Sequence, residues 1–321
     1  MKVIAYSLKE FEKEFLARAN QTRHEITLIS NRLTLETAGF AEGKTAVLVF
    51  GNDDLSAAVI HHLAGLGVKY IAARSISMDH IDSRAMEDCG IKFANVLSYS
   101  PRAVAEHVIG LVLALNRHLV EAELNSRNFD FRTDHLVGFN LFGKTVGIIG
   151  TGKIGTAVAA IFKGFGCRVL GYDIAATSEM DTAEQVTLDQ LYAESDIISL
   201  HVPLNAGTRH LINKDALRKM KDGVMLINTA SGAVIRTTDV LAAIDSGKLG
   251  YLGLDVYEFE NTLFYDEHDN SVPVDPLFEK LTLHPNVITT PRQAYLTREV
   301  LAQIAEQVIA SLDKWESEPL L

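Results

Sequence analysis

Short apolar, β-branched runs alternate with helix-length amphipathic segments along most of the chain. The first series is KVIAY (2–6), EITLI (25–29), AVLVF (46–50) and KYIAA (69–73). The second is KTVGIIG (144–150), CRVLGYD (167–173), DIISLHVP (196–203), GVMLINT (223–229), GYLGLDV (250–256) and NVITT (286–290). Runs that are apolar at successive positions, not at alternate ones, belong to strands covered on both faces, as in parallel sheets built from βα units. The pattern predicts an α/β fold with two doubly wound parallel sheets. Between the series, SPRAVAEHVIGLVLALNRHL (100–119) predicts one long buried linking helix, with Ser100 as its cap and Pro101 in its first turn. GFNLFGK (138–144) carries the glycines of a turn leading into the second series. Residues 260–280, polar and punctuated by proline, read as a long loop.

Composition narrows the functions this fold could serve. With 321 residues, 47% of them hydrophobic, the chain has enough material for two cores. A formal charge of −11 disfavours nucleic acid and anionic membrane as partners and leaves small metabolites open. Cys89 and Cys167 offer no spacing for a disulfide framework or a cysteine metal site, which fits a reducing cytoplasm. The opening MKVIAYSLKE turns charged too early for a signal-peptide core, and the apolar run 108–115 is far below the roughly 20 residues of a span. A cytoplasmic location is therefore expected. DEHD (266–269) could offer ligands, but with no second ligand cluster it reads as a solvated acidic loop, and no metal is expected.

Gly150-Thr151-Gly152-Lys153-Ile154-Gly155 follows an apolar run and opens a helical pattern, TAVAAIFKGFG, and Asp173 closes the next run. Glycines there allow a tight turn and close approach of backbone to a pyrophosphate. The helix N-terminus supplies N–H groups, and the acid can bind ribose hydroxyls. Ile174, Ala175 and Ala176 follow Asp173 without an arginine, and a carboxylate would repel a 2′-phosphate. NAD is therefore favoured over NADP.

The chain resembles the D-isomer-specific 2-hydroxyacid dehydrogenases, nearest to the fermentative D-lactate dehydrogenases. The resemblance runs through GVKYIAARSISMDHID (67–82), YSPRAVAEH (99–107), GFNLFGKTVGIIGTGKIG (138–155) and SDIISLHVPL (195–204), then GVMLINTASGAVI (223–235), LDVYEFENTLFYDE (254–267) and NVITTPRQAYLT (286–297). It implies a flavodoxin-like substrate-binding domain split between 1–99 and 295–321, a Rossmann NAD domain at 100–294, and a small 2-keto or 2-hydroxy acid bound in the cleft between them. It also implies a homodimer or higher homo-oligomer. His201, Val202, Pro203, Thr208, Thr229, Ala230 and Asp255 would line the cofactor together with Gly150, Gly152, Lys153, Ile154, Gly155 and Asp173. His201 can equally be a satisfied strand-end histidine.

The same resemblance implies a catalytic set that this chain only partly carries. Such enzymes use a histidine as acid and base, a glutamate that holds it, and an arginine for the substrate. The glutamate position is Glu260, with Glu258 as a nearby alternative. The arginine position holds Ser231, the histidine position holds Arg292, and a glycine of the carboxylate-binding turn is replaced by Ser77. A guanidinium stays protonated near neutrality and makes a poor proton shuttle. Arg292 therefore has two readings: an ion pair with Glu260 that holds its loop, or carboxylate binding in place of the arginine missing at Ser231. Arg102 is either a second cation at the cleft or a surface residue. Tyr99, Tyr295, His80 and a water are candidates for a replacement acid, whereas His107 reads as a packed helix histidine. Two functions stay open: an NAD-dependent 2-hydroxyacid dehydrogenase of altered chemistry, weak on lactate and pyruvate, or a catalytically degenerate NAD-binding paralogue with a sensing or interaction role.

Overall fold

The computed structural model describes residues 1–76, 81–175, 182–260, 263 and 275–317. The chain divides into two compact units, Met1–Ser100 with Leu296–Leu321, and Pro101–Tyr295.

In the first unit the apolar runs form β1 (Lys2–Ala5), β2 (Glu25–Leu28), β3 (Ala46–Val49), β4 (Tyr70–Ala73) and β5 (Lys92–Asn95). They are all parallel, in the order β2-β1-β3-β4-β5, which is the flavodoxin-like arrangement. Helices α1 (Lys13–Asn20), α2 (Ala57–Gly65) and α3 (Ser83–Asp88) connect them. The last helix of the chain, Arg298–Ser317, returns to this unit. It buries Val300, Leu301, Ile304, Ala305, Val308, Ile309, Leu312 and Trp315, a stripe of helical period. The Trp315 ring stacks on Tyr70 with centroids 4.9 Å apart.

Arg74, directly after β4, is 1% exposed. Its Nε donates to Glu12 Oε1 at 3.0 Å and its Nη2 to the Tyr6 carbonyl at 2.8 Å. Nearby, the buried Asp53 accepts from Ser7 Oγ, the Leu33 N–H and the Phe50 N–H, and burial raises its pKa. These buried polar groups tie together the chain segments that leave β1, β3 and β4.

The second unit holds β6 (Thr145–Ile149), β7 (Arg168–Tyr172), β8 (Glu184–Gln185), β9 (Ile197–Leu200), β10 (Val224–Asn228), β11 (Leu249–Leu254) and β12 (Val287–Thr289). All are parallel, in the order β12-β11-β10-β9-β6-β7-β8. This is the Rossmann order with one further strand, and its direction reverses between β6 and β9. The helices are α4 (Pro101–Asn116), α5 (Leu119–Arg127), α6 (Lys153–Gly164), α7 (Leu188–Glu194), α8 (Lys214–Lys219), α9 (Thr237–Asp245) and α10 (Pro276–Leu283), which makes the returning C-terminal helix α11. Successive residues of one strand enter different cores. In β10, Val224 and Leu226 pack in one and Met225 and Ile227 in the other. This is why the strands are apolar without alternation.

Three features depart from the sequence reading. The linking helix does not run from 100 to 119: α4 ends at Asn116, and α5 follows at a bend of 60°. The buried Asn116 side chain spends its donor and acceptor on the Phe139 backbone, and His118 takes a left-handed φ of +49° that a continuing helix does not allow. The loop expected over 260–280 gives way to α10 from Pro276, because Asp275 accepts from the N–H groups of Leu277 and Phe278 and Pro276 suits the first helical position. Strands β5 and β8 were not anticipated. Both lie at sheet edges, and β8 has both residues exposed, so neither carries a fully apolar signature. The DEHD segment lies outside the described residues. No single helix is long and apolar enough to cross a membrane among the described residues.

Removing the Glu12 carboxylate would leave the Arg74 charge buried without its partner, a change that costs about 3–5 kcal/mol. Glu12→Ala is expected to lower the urea midpoint read by fluorescence of Trp315, the single tryptophan of the chain. An unchanged midpoint would show that Glu12 does not hold Arg74.

Candidate active site

Strand register sets where the functional residues fall. Tyr172 pairs with Ile149, Ile149 with Leu200, Leu200 with Asn228, Asn228 with Leu254, and Leu254 with Thr289. The residues that follow them, Asp173, Gly150, His201, Thr229, Asp255 and Thr290, therefore line up along the carboxyl edge of the second sheet. Ligands bind at that edge of open α/β sheets, next to the reversal point.

The β6–α6 turn is made for close approach. Gly150 has φ +94°, and a Cβ there would lie 2.4 Å from the His201 carbonyl oxygen. A Cβ on Gly155 would lie 2.0 Å from the Gly150 oxygen, so α6 seats directly on the turn. Gly152, the N-cap of α6, faces open space, while Lys153 is exposed and Ile154 half-buried in the first helical turn. Asp173 Oδ2 accepts from the Thr151 N–H at 2.8 Å and Oδ1 from the Ala175 N–H at 2.9 Å. The Ala175 bond, with those from Thr151, holds its carboxyl below the ordinary range.

After β9, His201 Nε2 and Ser199 Oγ share a hydrogen bond of 2.8 Å, and burial drives the imidazole pKa down to about 3. His201 is thus a neutral, satisfied strand-end residue at neutral pH. Val202 packs toward Gly150, and Thr208 Oγ1 donates to the Pro203 carbonyl at 2.6 Å, closing the turn between them. After β10, the Asn228 side chain accepts from the Ala230 N–H and donates to the Ser231 carbonyl. Thr229 Oγ1 is buried with no partner among the described residues. The open space before Gly152, this orphaned hydroxyl and the placed Asp173 carboxylate fit a dinucleotide laid along the edge. Gly150 and Gly152 would hold its pyrophosphate and Asp173 its ribose.

The remaining residues gather after β10, β11 and β12. Gly232 fits so closely that a Cβ would lie 2.0 Å from the Tyr257 carbonyl oxygen, which brings Ser231 beside the β11 loop. Glu260 is 8% exposed; its Oε2 accepts from the Tyr257 N–H at 3.0 Å and its Oε1 from Arg292 Nη2. Glu258 is engaged elsewhere, with His210 Nε2 at 2.6 Å and the Thr237 N–H at 2.8 Å, so Glu260 is the partner of Arg292. Asp255 points into the turn after β12, accepting from Thr290 Oγ1 at 2.6 Å, the Gln293 N–H at 2.9 Å and the Ala294 N–H at 3.0 Å. That turn holds Arg292 at φ +53°, a left-handed conformation costing about 1–3 kcal/mol outside glycine. Arg292 keeps 39% of its side chain exposed, and Tyr295 is half-buried three residues on.

Arg102 lies exposed in the first turn of α4. Tyr99 belongs to the first unit and is half-buried. Ser77 and His80 lie outside the described residues. The sequence reading took His107 for a packed helix residue; its Nε2 lies 3.0 Å from Thr290 Oγ1 and 3.4 Å from Asp255 Oδ1. The sequence signal for that approach is Gly253, where a Cβ would lie 3.4 Å from Leu111 Cβ of α4. Among the described residues no cluster of three or more metal-ligating side chains occurs.

This edge is that of a nicotinamide-dinucleotide enzyme, and the comparisons give its family. The family model described as D-isomer specific 2-hydroxyacid dehydrogenase, NAD binding domain, matches residues 109–294. The D-lactate dehydrogenase of Escherichia coli (strain K12) is 42% identical over 326 residues, covering 99% of either chain. The solved structure of the pyruvate reductase of Chlamydomonas reinhardtii matches with a TM-score of 0.95 and 40% identity, over 100% of this chain and 98% of that one. That of D-lactate dehydrogenase with NAD+ from Lactobacillus jensenii matches with a TM-score of 0.83 and 31% identity, over 98% and 97%. The chain belongs to the D-isomer-specific 2-hydroxyacid dehydrogenase family. Its second unit carries the NAD-binding domain of that family.

His201 gives a test with a defined sign. Unfolded, its imidazole takes up a proton below pH of about 6.5, whereas the folded chain resists this down to about 3. Its contribution is therefore full above that upper value and falls with pH through the window. His201→Gln is expected to flatten the fall in unfolding midpoint between about pH 6.5 and 4 relative to the parent. Parallel midpoint curves for the two proteins would show that the ring is not desolvated.

Proposed function

We propose that the protein is an NAD-dependent oxidoreductase of small 2-keto and 2-hydroxy acids in which Arg292, not a histidine, faces the substrate. The observation that supports this most is the register. It sets Ser231, Glu260 and Arg292 on the same carboxyl edge as the Gly150 turn and Asp173. When bound, the cofactor supplies or accepts the hydride. Arg292 binds the substrate carboxylate through its guanidinium, a charge-assisted and bidentate interaction that does not depend on which loop presents it. Glu260 orients that guanidinium, and Ser231 occupies the place the family resemblance gives to an arginine. Without an imidazole at 292, proton delivery to the carbonyl oxygen is poor, and turnover of lactate or pyruvate is weak.

A second reading is a catalytically degenerate NAD-binding protein with a sensing or interaction role. It is favoured by the engagement of both Glu260 oxygens, with Arg292 and with the Tyr257 N–H. NADH binding by fluorescence, followed by NADH oxidation across a panel of 2-keto acids, separates the two. The first reading expects saturable oxidation with at least one acid. It also expects Arg292→Lys, which keeps the charge but loses the fork, to raise KM about tenfold with a smaller change in kcat. NADH binding without turnover on any acid would overturn it. The second reading expects Ser231→Arg with Arg292→His to raise pyruvate reduction by about 100-fold or more, and a double variant as slow as the parent would count against it.

We also propose that a second copy of the chain covers α5. This nine-residue helix buries none of its residues and leaves Leu119, Val120 and Leu124 more than half exposed, with Phe129, Phe131 and Val137 exposed after it. A helix so short is marginal in water without packing, and apolar surface of this kind marks an interface. Light scattering is expected to give at least a dimer, and Leu124→Asp with Phe131→Asp a monomer. A monomeric parent protein would rule this out.

A further inference from the structure

We infer that His107 is a positioning residue for the turn that presents Arg292, an inference that deepens the carboxylate-binding role proposed for Arg292. In β11, the place a Cβ would take on Gly253 is filled by Ile227 Cδ1 of β10 at 2.7 Å and by Leu115 Cδ1 and Leu111 Cβ of α4 at 3.3 and 3.4 Å, so α4 packs directly over this strand. His107 lies one helical turn before Leu111, and Asp255 two residues beyond Gly253. The packing of α4 over β11 places the imidazole at the end of the strand, 3.4 Å from Asp255 Oδ1.

There the hydrogen bonds run in one direction. Thr290 Oγ1 donates to Asp255 Oδ1 at 2.6 Å, so its oxygen accepts from His107 Nε2–H at 3.0 Å. This requires a proton on His107 Nε2 and sets the Thr290 hydroxyl toward the carboxylate. Asp255 Oδ1 then accepts from the Gln293 N–H and Oδ2 from the Ala294 N–H, while the Asp255 carbonyl accepts from the Arg292 N–H at 2.9 Å. The left-handed Arg292 is held from both sides by one residue, whose orientation is set by Thr290 and His107. Among the described residues, His210 is bound to Glu258 and His201 to Ser199, and neither bonds to the turn. Among the described residues, His107 bonds to Thr290 and lies against Asp255, so its action on the Arg292 turn passes through those two.

The experiment is amide exchange of the segment 289–297 in the full-length protein, compared among the parent, His107→Ala, His107→Gln and Thr290→Val. A glutamine places an N–H donor near the position of imidazole Nε2; alanine does not. Exchange at Gln293 and Ala294 is expected to quicken about tenfold in His107→Ala and Thr290→Val, since one net hydrogen bond is worth that much in opening. It should return to within about threefold of the parent in His107→Gln, and the His107→Ala, Thr290→Val double variant should be no faster than either single one. Unchanged exchange in His107→Ala would overturn the inference, and so would a glutamine variant as fast as alanine, which would reduce His107 to packing. An unaltered far-ultraviolet circular dichroism spectrum in each variant shows that the fold is retained. Oxamate binding to the NADH complex is measured in parallel: a parent protein that fails to bind oxamate overturns the role proposed for Arg292, while the exchange rates still judge the role of His107.

Discussion

Asp255, 3% exposed at the end of β11, is the residue on which the candidate site depends. Its N–H donates to the Asn228 carbonyl, which joins it to β10, and its carbonyl accepts from the Arg292 N–H, which joins it to the turn after β12. Its carboxylate takes the Thr290 hydroxyl and the N–H groups of Gln293 and Ala294. A buried carboxylate must be satisfied by donors of this kind, and here the donors are the turn itself. The geometry of Arg292 thus follows from where β11 ends. The cost of its left-handed backbone, about 1–3 kcal/mol, is offset by the hydrogen bonds the turn makes to Asp255. Asp255 was expected to line the cofactor. Its oxygens serve the Arg292 turn, so any contact with the cofactor is shared with that work.

The sequence was most legible where one physical cause dominated. Strands buried on both faces, such as β10, run apolar over successive positions (VMLI before Asn228), and that signature survives without any alignment. The Gly150 turn was legible because close approach admits no side chain, as the 2.0 Å from a Gly155 Cβ to the Gly150 oxygen shows. Edge strands β5 and β8 escaped because an edge relieves a strand of the need to be apolar on both sides. The break at Asn116 escaped because it depends on Phe139, a contact 23 residues away. The start of α10 was legible in principle from Asp275 and Pro276, but the polar run before them hid it.

The candidate site divides in the same way. The family resemblance brought Glu260 and Arg292 forward as a pair, and the structure joins them. The resemblance gave Glu260 and left Glu258 as a nearby alternative. That choice rests on His210 and Thr237, which take up Glu258 from elements distant in sequence. Nor could the sequence place His107, which α4 brings 3.4 Å from Asp255, a residue 148 positions further along the chain. The carboxyl edge therefore combines a dinucleotide turn readable from local sequence with an arginine turn readable only from packing.

The central claim is that this edge binds a 2-keto acid through Arg292, and a crystal structure of the full-length protein with NADH and oxamate tests it most directly. The account predicts both oxamate carboxylate oxygens within hydrogen-bond distance of the Arg292 guanidinium, with Asp255 still closing the turn behind it. Oxamate bound at the edge by other residues, with Arg292 turned wholly to Glu260, would contradict it.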